Sequence, residues 1–276
     1  MDTSFLTYSA VGKRVRLSRI MSRGRAVVFA FDHGFEHGPR DFAPETLNAR
    51  AVLDKVVGYV DAVMLLPGVA RLTWDLWAGR AALILKVTGK TTMRPEEERL
   101  IQSPIALVED AVALGADAVA ATIYWGSRYE HEMLRDWASI KSAADTYGIP
   151  LFQLAYPRGP MITSTYDPEV VKYSARAAAE SGADAIKTHY TGSLESFKLV
   201  VEIASGIPVL MSGGPRRSRD LDFLVDVYNA VKAGGRGVVV GREVFQHRSP
   251  RGMLKAVNAI LFDEKEPEEA LKLIEQ

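Results

Sequence analysis

Apolar positions along the chain fall into short, nearly continuous runs, and longer segments with apolar residues three or four positions apart separate them. This alternation is typical of parallel α/β proteins, in which buried strands alternate with amphipathic helices. It predicts strands at Ala26 to Asp32, Asp61 to Leu66, Ala81 to Val87, Asp117 to Tyr124, Pro150 to Tyr156, Asp184 to His189, Ile207 to Ser212 and Gly237 to Gly241. It predicts helices between them at Glu45 to Tyr59, Pro104 to Leu114, Arg128 to Tyr147, Pro168 to Ser181, Leu194 to Ala204, Asp220 to Ala233 and Pro250 to Phe262.

The number of units indicates the architecture. About eight strand–helix units in 276 residues favour a closed (β/α)8 TIM barrel over an open sheet. Lys13 to Met21 predicts an extra N-terminal helix, and Pro267 to Ile274 predicts a C-terminal tail helix. No linker divides the chain, so we expect residues 1–276 to form a single barrel domain. An open dinucleotide-binding sheet is disfavoured because no G-x-G-x-x-G follows the first strand.

Two of the predicted units resemble each other. LGADAV begins at Leu114 and SGADAI begins at Ser181, and fainter copies occur at Val60 and Ala233. In each copy a glycine can end a helix in a left-handed conformation before the chain turns into the next strand. Self-similarity of this kind indicates repeated βα units rather than unrelated domains.

Composition and charge exclude several classes of function. Lys+Arg 34 balances Asp+Glu 34, so the net charge of +0 disfavours nucleic acid as a partner. The chain has no cysteine, which excludes disulfides, thiolate nucleophiles and cysteine metal sites. No apolar run approaches the roughly 20 residues of a membrane span, and the first residues do not resemble a signal peptide. We therefore expect a cytoplasmic protein that does not bind membranes.

The segment from Ala183 to Ser193, ADAIKTHYTGS, places a lysine inside a predicted buried strand. Alternation along the strand puts Lys187 on the opposite face from Ile186 and Thr188. Burial disfavours the ammonium form and lowers a lysine pKa from about 10.4 toward neutrality, which leaves an amine that can attack a ketone. The alternative is an edge lysine that reaches solvent or pairs with a carboxylate.

The ends of the predicted strands carry polar residues, and in (β/α)8 barrels these ends form the active site. Ser212, Gly213 and Gly214 end the seventh strand, and Gly241 and Arg242 end the eighth. Glycine lets the backbone approach a phosphate and arginine adds a fixed charge, so these two ends predict a phosphate site. The alternative is that the glycines only form tight turns.

The first strand ends in DHGFEH, which holds two carboxylates and two histidines and could bind a metal. Against a metal, Gly34 breaks the spacing that would put His33 and His37 on one helical face, and no third ligand motif follows. In the other interpretation, Asp32 faces the barrel mouth as a base or as the partner of Lys187, while His37 meets an anionic group.

Further polar side chains have more than one interpretation. Tyr156 could transfer protons in the mouth, or it could pack and hydrogen-bond like many strand-end tyrosines. Lys86 could be a second cation that depresses the pKa of Lys187, or the partner of a carboxylate. Arg216 and Arg217 are predicted to lie in a solvated turn.

The segments FAFDHGFEHGP, LKVTGKTT, ATIYWGS, AYPRGP, ARAAAESGADAIKTHYTGS, VLMSGGP and VVVGREVFQ together resemble the archaeal-type class I fructose-1,6-bisphosphate aldolases. The resemblance extends from Lys13 to Phe262, nearly the whole chain. It implies a (β/α)8 barrel, a homo-oligomer and a phosphorylated sugar substrate. It also implies Schiff-base catalysis in the central carbon pathway without a metal or another cofactor.

The resemblance also implies roles for residues that match its motifs. Lys187 of D-x-I-K-T would form the Schiff base, Tyr156 of Y-P-R-G would donate and accept protons, and Asp32 of D-H-G would assist. The substrate-binding set comprises His33, with His37 and Arg158 at one phosphate and Ser212, Gly213, Gly214, Gly241 and Arg242 at the other. The chain departs from its relatives at Leu154, where some have an aromatic residue, and at Arg216-Arg217, where a lysine and a small polar residue are usual.

Other activities occur on the same scaffold. One alternative is a lysine-dependent transaldolase-like synthase or a thiolase acting on a phosphorylated sugar. Another is a noncatalytic sugar-phosphate-binding protein. The EHGP sequence after Gly34 favours the bisphosphate aldolase among them.

Overall fold

The structure, a computed structural model, describes residues 7–275. Within this range the chain forms ten strands, β1 Ala26–Phe31, β2 Ala62–Leu65, β3 Ala82–Lys86, β4 Thr88–Gly89, β5 Ser103–Pro104, β6 Ala118–Trp125, β7 Leu151–Pro157, β8 Ala185–His189, β9 Val209–Ser212 and β10 Gly237–Val240. The same range contains the helices α1 Tyr8–Ile20, α2 His33–His37, α3 Ala49–Val56, α4 Pro67–Leu72, α5 Trp74–Trp77, α6 Val108–Ala113, α7 Glu130–Tyr147, α8 Pro168–Glu180, α9 Leu194–Ile203, α10 Asp220–Lys232, α11 Arg242–Phe245, α12 Pro250–Phe262 and α13 Pro267–Leu271.

Eight of the strands in the described range close into a parallel barrel in the order β1, β10, β9, β8, β7, β6, β3, β2. They are the eight strands that the apolar runs predict, with ends that agree within two residues. Helices on the outside and side chains on the inside bury both faces of the strands, which is why the runs are continuous rather than alternating. The predicted (β/α)8 barrel is confirmed, and so are its extra N-terminal and C-terminal helices.

The structure also contains elements that the sequence pattern did not predict. Helices α4 and α5 connect β2 to β3, and β4 pairs with β5 in a short antiparallel hairpin beside the barrel. Pro67 begins α4, where its missing N–H is tolerated because the first turn of a helix leaves that donor unpaired. Helix α1 begins at Tyr8, five residues before the predicted start, because the Thr7 side chain accepts a hydrogen bond from the Ala10 amide.

The expectation that Gly34 prevents a helical arrangement of His33 and His37 is wrong. These residues form the single-turn helix α2, and the two imidazole rings lie with their centroids 5.8 Å apart. Gly34 fits within this turn because its α-carbon faces the Phe42 ring, where even a methyl group would come within 3.3 Å. The helix therefore presents both histidines near the end of β1.

Basic residues of α1 and the turn that follows it contact the amino ends of the barrel strands, which form its floor. Three aspartates that precede strands, including both aspartates of the GADA repeats, each accept a hydrogen bond from the backbone of the neighbouring strand. These bonds are Val27 to Asp61 at 2.7 Å, Leu83 to Asp117 at 3.3 Å and Leu151 to Asp184 at 2.9 Å. Each aspartate also forms an ion pair, namely Arg23–Asp61, Arg19–Asp117 and Lys13–Asp184. The repeat therefore has a structural cause, since each copy joins two strands and the N-terminal segment.

No helix within residues 7–275 is long and apolar enough to cross a membrane.

Candidate active site

A cavity of about 140 Å³ lies inside the barrel mouth, at the carboxyl ends of the strands. Its wall includes most of the residues that the sequence predicted for the site, namely Asp32, His33, His37, Tyr156, Arg158, Lys187, Ser212, Gly214, Gly241 and Arg242. Gly213 is not part of this wall, because its amide donates to the Val239 carbonyl at 3.1 Å and its α-carbon packs on Val240. A larger cleft of about 550 Å³ lies between Arg40 and Pro250, but it contains none of the strand-end side chains predicted for catalysis.

Lys187 lies on β8 with its side chain in the cavity wall, and it is only 7% exposed. The neighbouring Thr188 points away from the cavity and donates to the Ala155 carbonyl at 2.9 Å, as alternation along the strand predicts. Among the residues that the structure describes, no carboxylate forms an ion pair with Lys187 within 4.0 Å. Its Nζ atom lies 6.0 Å from the centroid of the Tyr156 ring. The amine is thus sheltered within the barrel and close to an aromatic ring.

Lys86, on β3, holds the two carboxylates of the first strand end. Its Nζ atom donates to Asp32 Oδ2 at 2.6 Å and also contacts Glu36 Oε1. Asp32 is therefore paired directly with Lys86, not with Lys187 as one interpretation of the sequence suggested. Of the two roles considered for Lys86, the structure shows the carboxylate partner.

The charges of Lys86, Asp32 and Glu36 determine the protonation states of these side chains. Burial alone would raise the pKa of Asp32, but the Lys86 ammonium, with smaller contributions from His33 and Lys187, holds that pKa far below its usual range. Burial alone would lower the pKa of Lys86, but Asp32 and Glu36 together raise it well above the ordinary lysine value. Asp32 is consequently a carboxylate and Lys86 an ammonium at neutral pH.

The same carboxylates were the strongest candidates for metal ligands. Lys86 contacts an oxygen of each, and residues 7–275 contain no group of three or more His, Cys, Asp or Glu side chains placed to hold an ion. Gln102 extends the network, since its amide donates to Glu36 Oε1 at 3.0 Å and to the Tyr124 hydroxyl at 2.8 Å. The sequence pattern did not indicate Gln102 and Tyr124 as parts of the site and offered Glu36 only as a metal ligand, because the partners of these residues lie 22 to 66 residues away in the chain.

Tyr156, at the end of β7, lies near both the Lys187 amine and Ser212 of the first predicted phosphate loop. Its hydroxyl is 3.4 Å from Ser212 Oγ, and the Arg158 guanidinium lies 5.3 Å from its ring centroid. The ring also stacks on His189 with a centroid distance of 4.6 Å. His189 is a further wall residue that was not assigned a role, although it occupies the same strand face as Lys187 two positions later.

The cavity carries an excess of positive charge. The ammonium of Lys86 is balanced by its two carboxylates, whereas Arg158 forms no ion pair in the described part of the chain and Arg242 lies 3.9 Å from its carboxylate, Asp41. His33 adds no charge at neutral pH, because burial lowers its pKa to about 4 despite the opposing effect of Asp32. A cavity with this balance attracts anionic ligands.

The loops after β9 and β10 have the shape predicted for a phosphate site. Gly214 has φ +72°, a conformation that side chains disfavour, and it brings the backbone to the cavity wall. Gly241 packs against His33, and a β-carbon there would lie 2.8 Å from the Ala30 carbonyl oxygen. Helix α11 begins immediately afterwards at Arg242.

The prediction that Arg216 and Arg217 lie in a solvated turn is wrong. Both are partly buried and bind the Glu243 carboxylate, which is 0% exposed. Glu243 accepts from Arg216 Nη1 at 2.9 Å and from the Arg217 backbone amide at 3.0 Å. Because Arg216 and Arg217 follow the Ser-Gly-Gly turn and Glu243 follows Gly241, this cluster joins the two loops that were predicted to bind phosphate.

Comparison with known proteins agrees with this geometry. Residues 26–247 match the DeoC/LacD family aldolase profile. The class 1 fructose-bisphosphate aldolase of Thermoproteus tenax is 39% identical over 255 residues, which cover 91% of this chain and 95% of that protein. Two solved structures superimpose with a TM-score of 0.84 at 38% identity over 90% of this chain. One is a Schiff-base-forming fructose-1,6-bisphosphate aldolase, 99% covered, and the other is an archaeal fructose-1,6-bisphosphate aldolase with its catalytic lysine covalently bound to a carbinolamine intermediate, 98% covered.

Proposed function

The chain belongs to the DeoC/LacD family of aldolases, and from this premise we propose how the barrel cavity carries out its reaction. The protein is an enzyme, a Schiff-base (class I) fructose-bisphosphate aldolase. It cleaves fructose 1,6-bisphosphate reversibly to dihydroxyacetone phosphate and glyceraldehyde 3-phosphate, a step of glycolysis and gluconeogenesis. The observation that carries the assignment of the site is the buried amine of Lys187, which lies in the cavity wall with no ion pair among the described residues.

Lys187 supplies the electron sink. Its amine attacks the C2 ketone of the substrate to form a carbinolamine, and a proton added to the carbinolamine hydroxyl lets it leave as water and gives an iminium ion. The bond between C3 and C4 then breaks, because the electron pair left on C3 moves into the cationic C=N bond. The same iminium forms from dihydroxyacetone phosphate in the reverse direction, so one amine serves both cleavage and condensation.

Tyr156 and Asp32 have separate roles in the rest of the reaction, proton transfer and charge stabilisation. Tyr156 acts as the base through its phenolate oxygen, which takes the proton from the C4 hydroxyl during cleavage, and the phenol so formed then returns that proton to C3. Asp32 is held ionised by Lys86, so it acts as a fixed negative charge that stabilises the iminium cation rather than as a proton donor.

Two sets of wall residues are assigned to the two phosphates. Ser212, Gly214, Gly241 and Arg242 bind the phosphate next to the imine carbon, and Gly213 supports this loop from behind. His37 and Arg158 bind the distal phosphate, with His33 between the two sets. Anchoring both ends holds the C3–C4 bond in place between Lys187 and Tyr156, which lowers the entropic part of the barrier.

Replacing Glu243 with glutamine is expected to weaken substrate binding more than turnover. The change removes the charge that joins the two phosphate loops, while Arg216 keeps Asp220 at 2.6 Å as a partner and the fold is retained. We expect KM for fructose 1,6-bisphosphate to rise about 10-fold, the effect of losing one charge-assisted hydrogen bond, with a smaller change in kcat. Steady-state kinetics beside Asp222→Asn, which alters an exposed pair at 3.7 Å, check this. A fall in kcat at constant KM would contradict the role given to Glu243.

Borohydride trapping tests the function directly. Incubation with dihydroxyacetone phosphate and borohydride is expected to reduce the iminium and leave a three-carbon phosphate adduct on Lys187, which mass spectrometry of peptides locates. An unmodified protein, or an adduct confined to Lys86 or Lys90, would remove this mechanism. Release of the two triose phosphates from fructose 1,6-bisphosphate, with no transfer to coenzyme A, separates the aldolase from the related activities.

We further propose that residues 1–276 act as a single domain within a cytoplasmic homo-oligomer. Large apolar side chains on the barrel exterior support self-association, since Leu47 is 63% exposed, Leu72 67% and Trp74 62%. The absence of cysteine from the sequence is in keeping with a reducing compartment.

A further inference from the structure

His189 is a buried histidine in the active-site wall that the reaction described above does not use. It is only 4% exposed, and within the described residues neither ring nitrogen has a hydrogen-bond partner. Its ring stacks on Tyr156 at 4.6 Å and lies 4.8 Å from the Tyr166 ring. Two tyrosines thus fix the imidazole while both of its polar atoms are left for a ligand.

Two unpaired polar atoms on one buried ring are unusual. Leaving a buried donor or acceptor without a partner costs about 1–3 kcal/mol, so side chains normally satisfy both. His37 does so in part, since its Nδ1 contacts Asp41 Oδ2 at 2.6 Å, and on His33 only Nδ1 is buried without a partner among the described residues. His189 lines the same cavity as Lys187, and a bound substrate is the group that would pair with it.

The protonation of the His189 imidazole indicates which kind of substrate group can pair with it. Burial, with the nearby Arg158 and Lys187 cations, lowers the pKa of His189 to about 3, so the imidazole is neutral with one donor and one acceptor. A hydroxyl can pair with either nitrogen, because it both donates and accepts. A phosphate dianion only accepts, so it can pair with the N–H of the ring but not with the unprotonated nitrogen, whereas hydroxyl groups can pair with both. The ketone is already engaged by Lys187.

The position of His189 selects which hydroxyl. On β8 it lies on the same face as Lys187, and it pairs in register with Ser212 of β9. It therefore belongs to the side of the cavity that holds the imine carbon and its adjacent phosphate. Its contact with Tyr156 places it beside C3, the carbon that gains a proton. We propose that His189 binds the C3 hydroxyl of the three-carbon half of the substrate and thereby makes the enzyme specific for α-hydroxy ketone phosphates. This inference rests on the proposed function of Lys187.

Two ketones that differ only at C3 test this contact. Dihydroxyacetone phosphate carries the C3 hydroxyl, and hydroxyacetone phosphate has a methyl group there. Borohydride trapping on Lys187 is measured at ketone concentrations below saturation. With the native protein, we expect trapping to be about 10-fold faster for the hydroxylated ketone, which corresponds to the free energy of one buried hydrogen bond. His189→Phe keeps the aromatic stack and removes both nitrogens. In this variant the ratio of the two trapping rates is expected to fall to the ratio of the intrinsic reactivities of the two ketones. Reaction of each ketone with butylamine in solution measures these intrinsic reactivities.

Matched variants complete the experiment. His189→Gln keeps a donor and an acceptor and is expected to restore part of the preference, while His131→Phe, an exposed histidine outside the cavity, leaves it unchanged. Rapid trapping of both ketones by His189→Phe with the native ratio would overturn the proposal for His189 while leaving Lys187 as the Schiff-base lysine. Failure of the native protein to form an adduct with either ketone would overturn the proposed function itself, and this inference with it.

Discussion

Replacing Lys187 with methionine is expected to lower the rate of fructose 1,6-bisphosphate cleavage on the order of 10⁶-fold, the typical loss when a covalent nucleophile is removed. No other group in the cavity wall can form the iminium, because Lys86 is an ammonium bound by two carboxylates. Methionine matches the length of the apolar part of lysine, and Lys187 has no ion pair among the described residues, so the fold should persist. Single-turnover release of triose phosphates measures the loss.

The matched control is Lys90→Met. Burial, with the nearby cation of Arg158, lowers the pKa of Lys90 to about 8, which makes it the main competitor as a reactive amine. Its ammonium donates to the Arg99 carbonyl at 2.7 Å, and it is not part of the cavity wall. We expect Lys90→Met to retain cleavage within about 10-fold of the native rate. The assignment of Lys187 would be wrong if the two variants behaved in the opposite way.

Replacing Lys86 with methionine is expected to produce the largest loss of stability, about 3–5 kcal/mol in the free energy of unfolding at neutral pH. The change leaves Asp32 and Glu36 buried without their counter-ion. Their mutual repulsion and their burial then raise the pKa of one of them above its ordinary value. Urea unfolding measures the difference, with Lys198→Met in an exposed pair at 3.8 Å as the control, expected to change stability by less than about 0.5 kcal/mol.

The stability lost in Lys86→Met is expected to change with pH in a defined direction. In the native protein the pKa values of Asp32 and Glu36 are depressed, so their stabilisation is present above the ordinary carboxyl pKa and is lost as pH falls toward the folded values. In Lys86→Met the raised pKa reverses the slope, and the stability deficit should shrink as pH falls from about 8 to about 5. A deficit that is constant with pH would indicate lost packing rather than an unpaired charge. The double variant Lys86→Met/Glu36→Gln should recover part of the loss, because only one carboxylate then lacks its counter-ion.

Local patterns in the sequence were sufficient for the barrel. The strands are buried on both faces, so each appears as a short run of apolar residues. The position of Lys187 followed from the same pattern, because a charged residue inside such a run must face the cavity or disrupt the strand. The sequence pattern did not predict helix α4, because proline and glycine, here Pro67 and Gly68, usually mark turns. In the structure the proline occupies the first helical turn.

Contacts between distant segments could not be predicted in this way. The sequence left open whether Lys86 acts beside Lys187 or binds a carboxylate, since its partners Asp32 and Glu36 lie 54 and 50 residues away. Arg216 and Arg217 have the composition of an exposed turn, and only the fold brings the buried Glu243 to them. His189 was visible by alternation with Lys187, but its unpaired nitrogens are a property of the folded site alone.

The aspartates of the barrel floor contribute to stability and not to catalysis. Asp184 lies just before β8 and only three residues before Lys187, a separation of about 10 Å, yet it pairs with Lys13 of α1 at the opposite end of the strand from the substrate. A substitution there would shift the melting temperature and leave the turnover number alone. Substitutions in the N-terminal segment can therefore change the stability of the enzyme without altering the active site at the other end of the barrel.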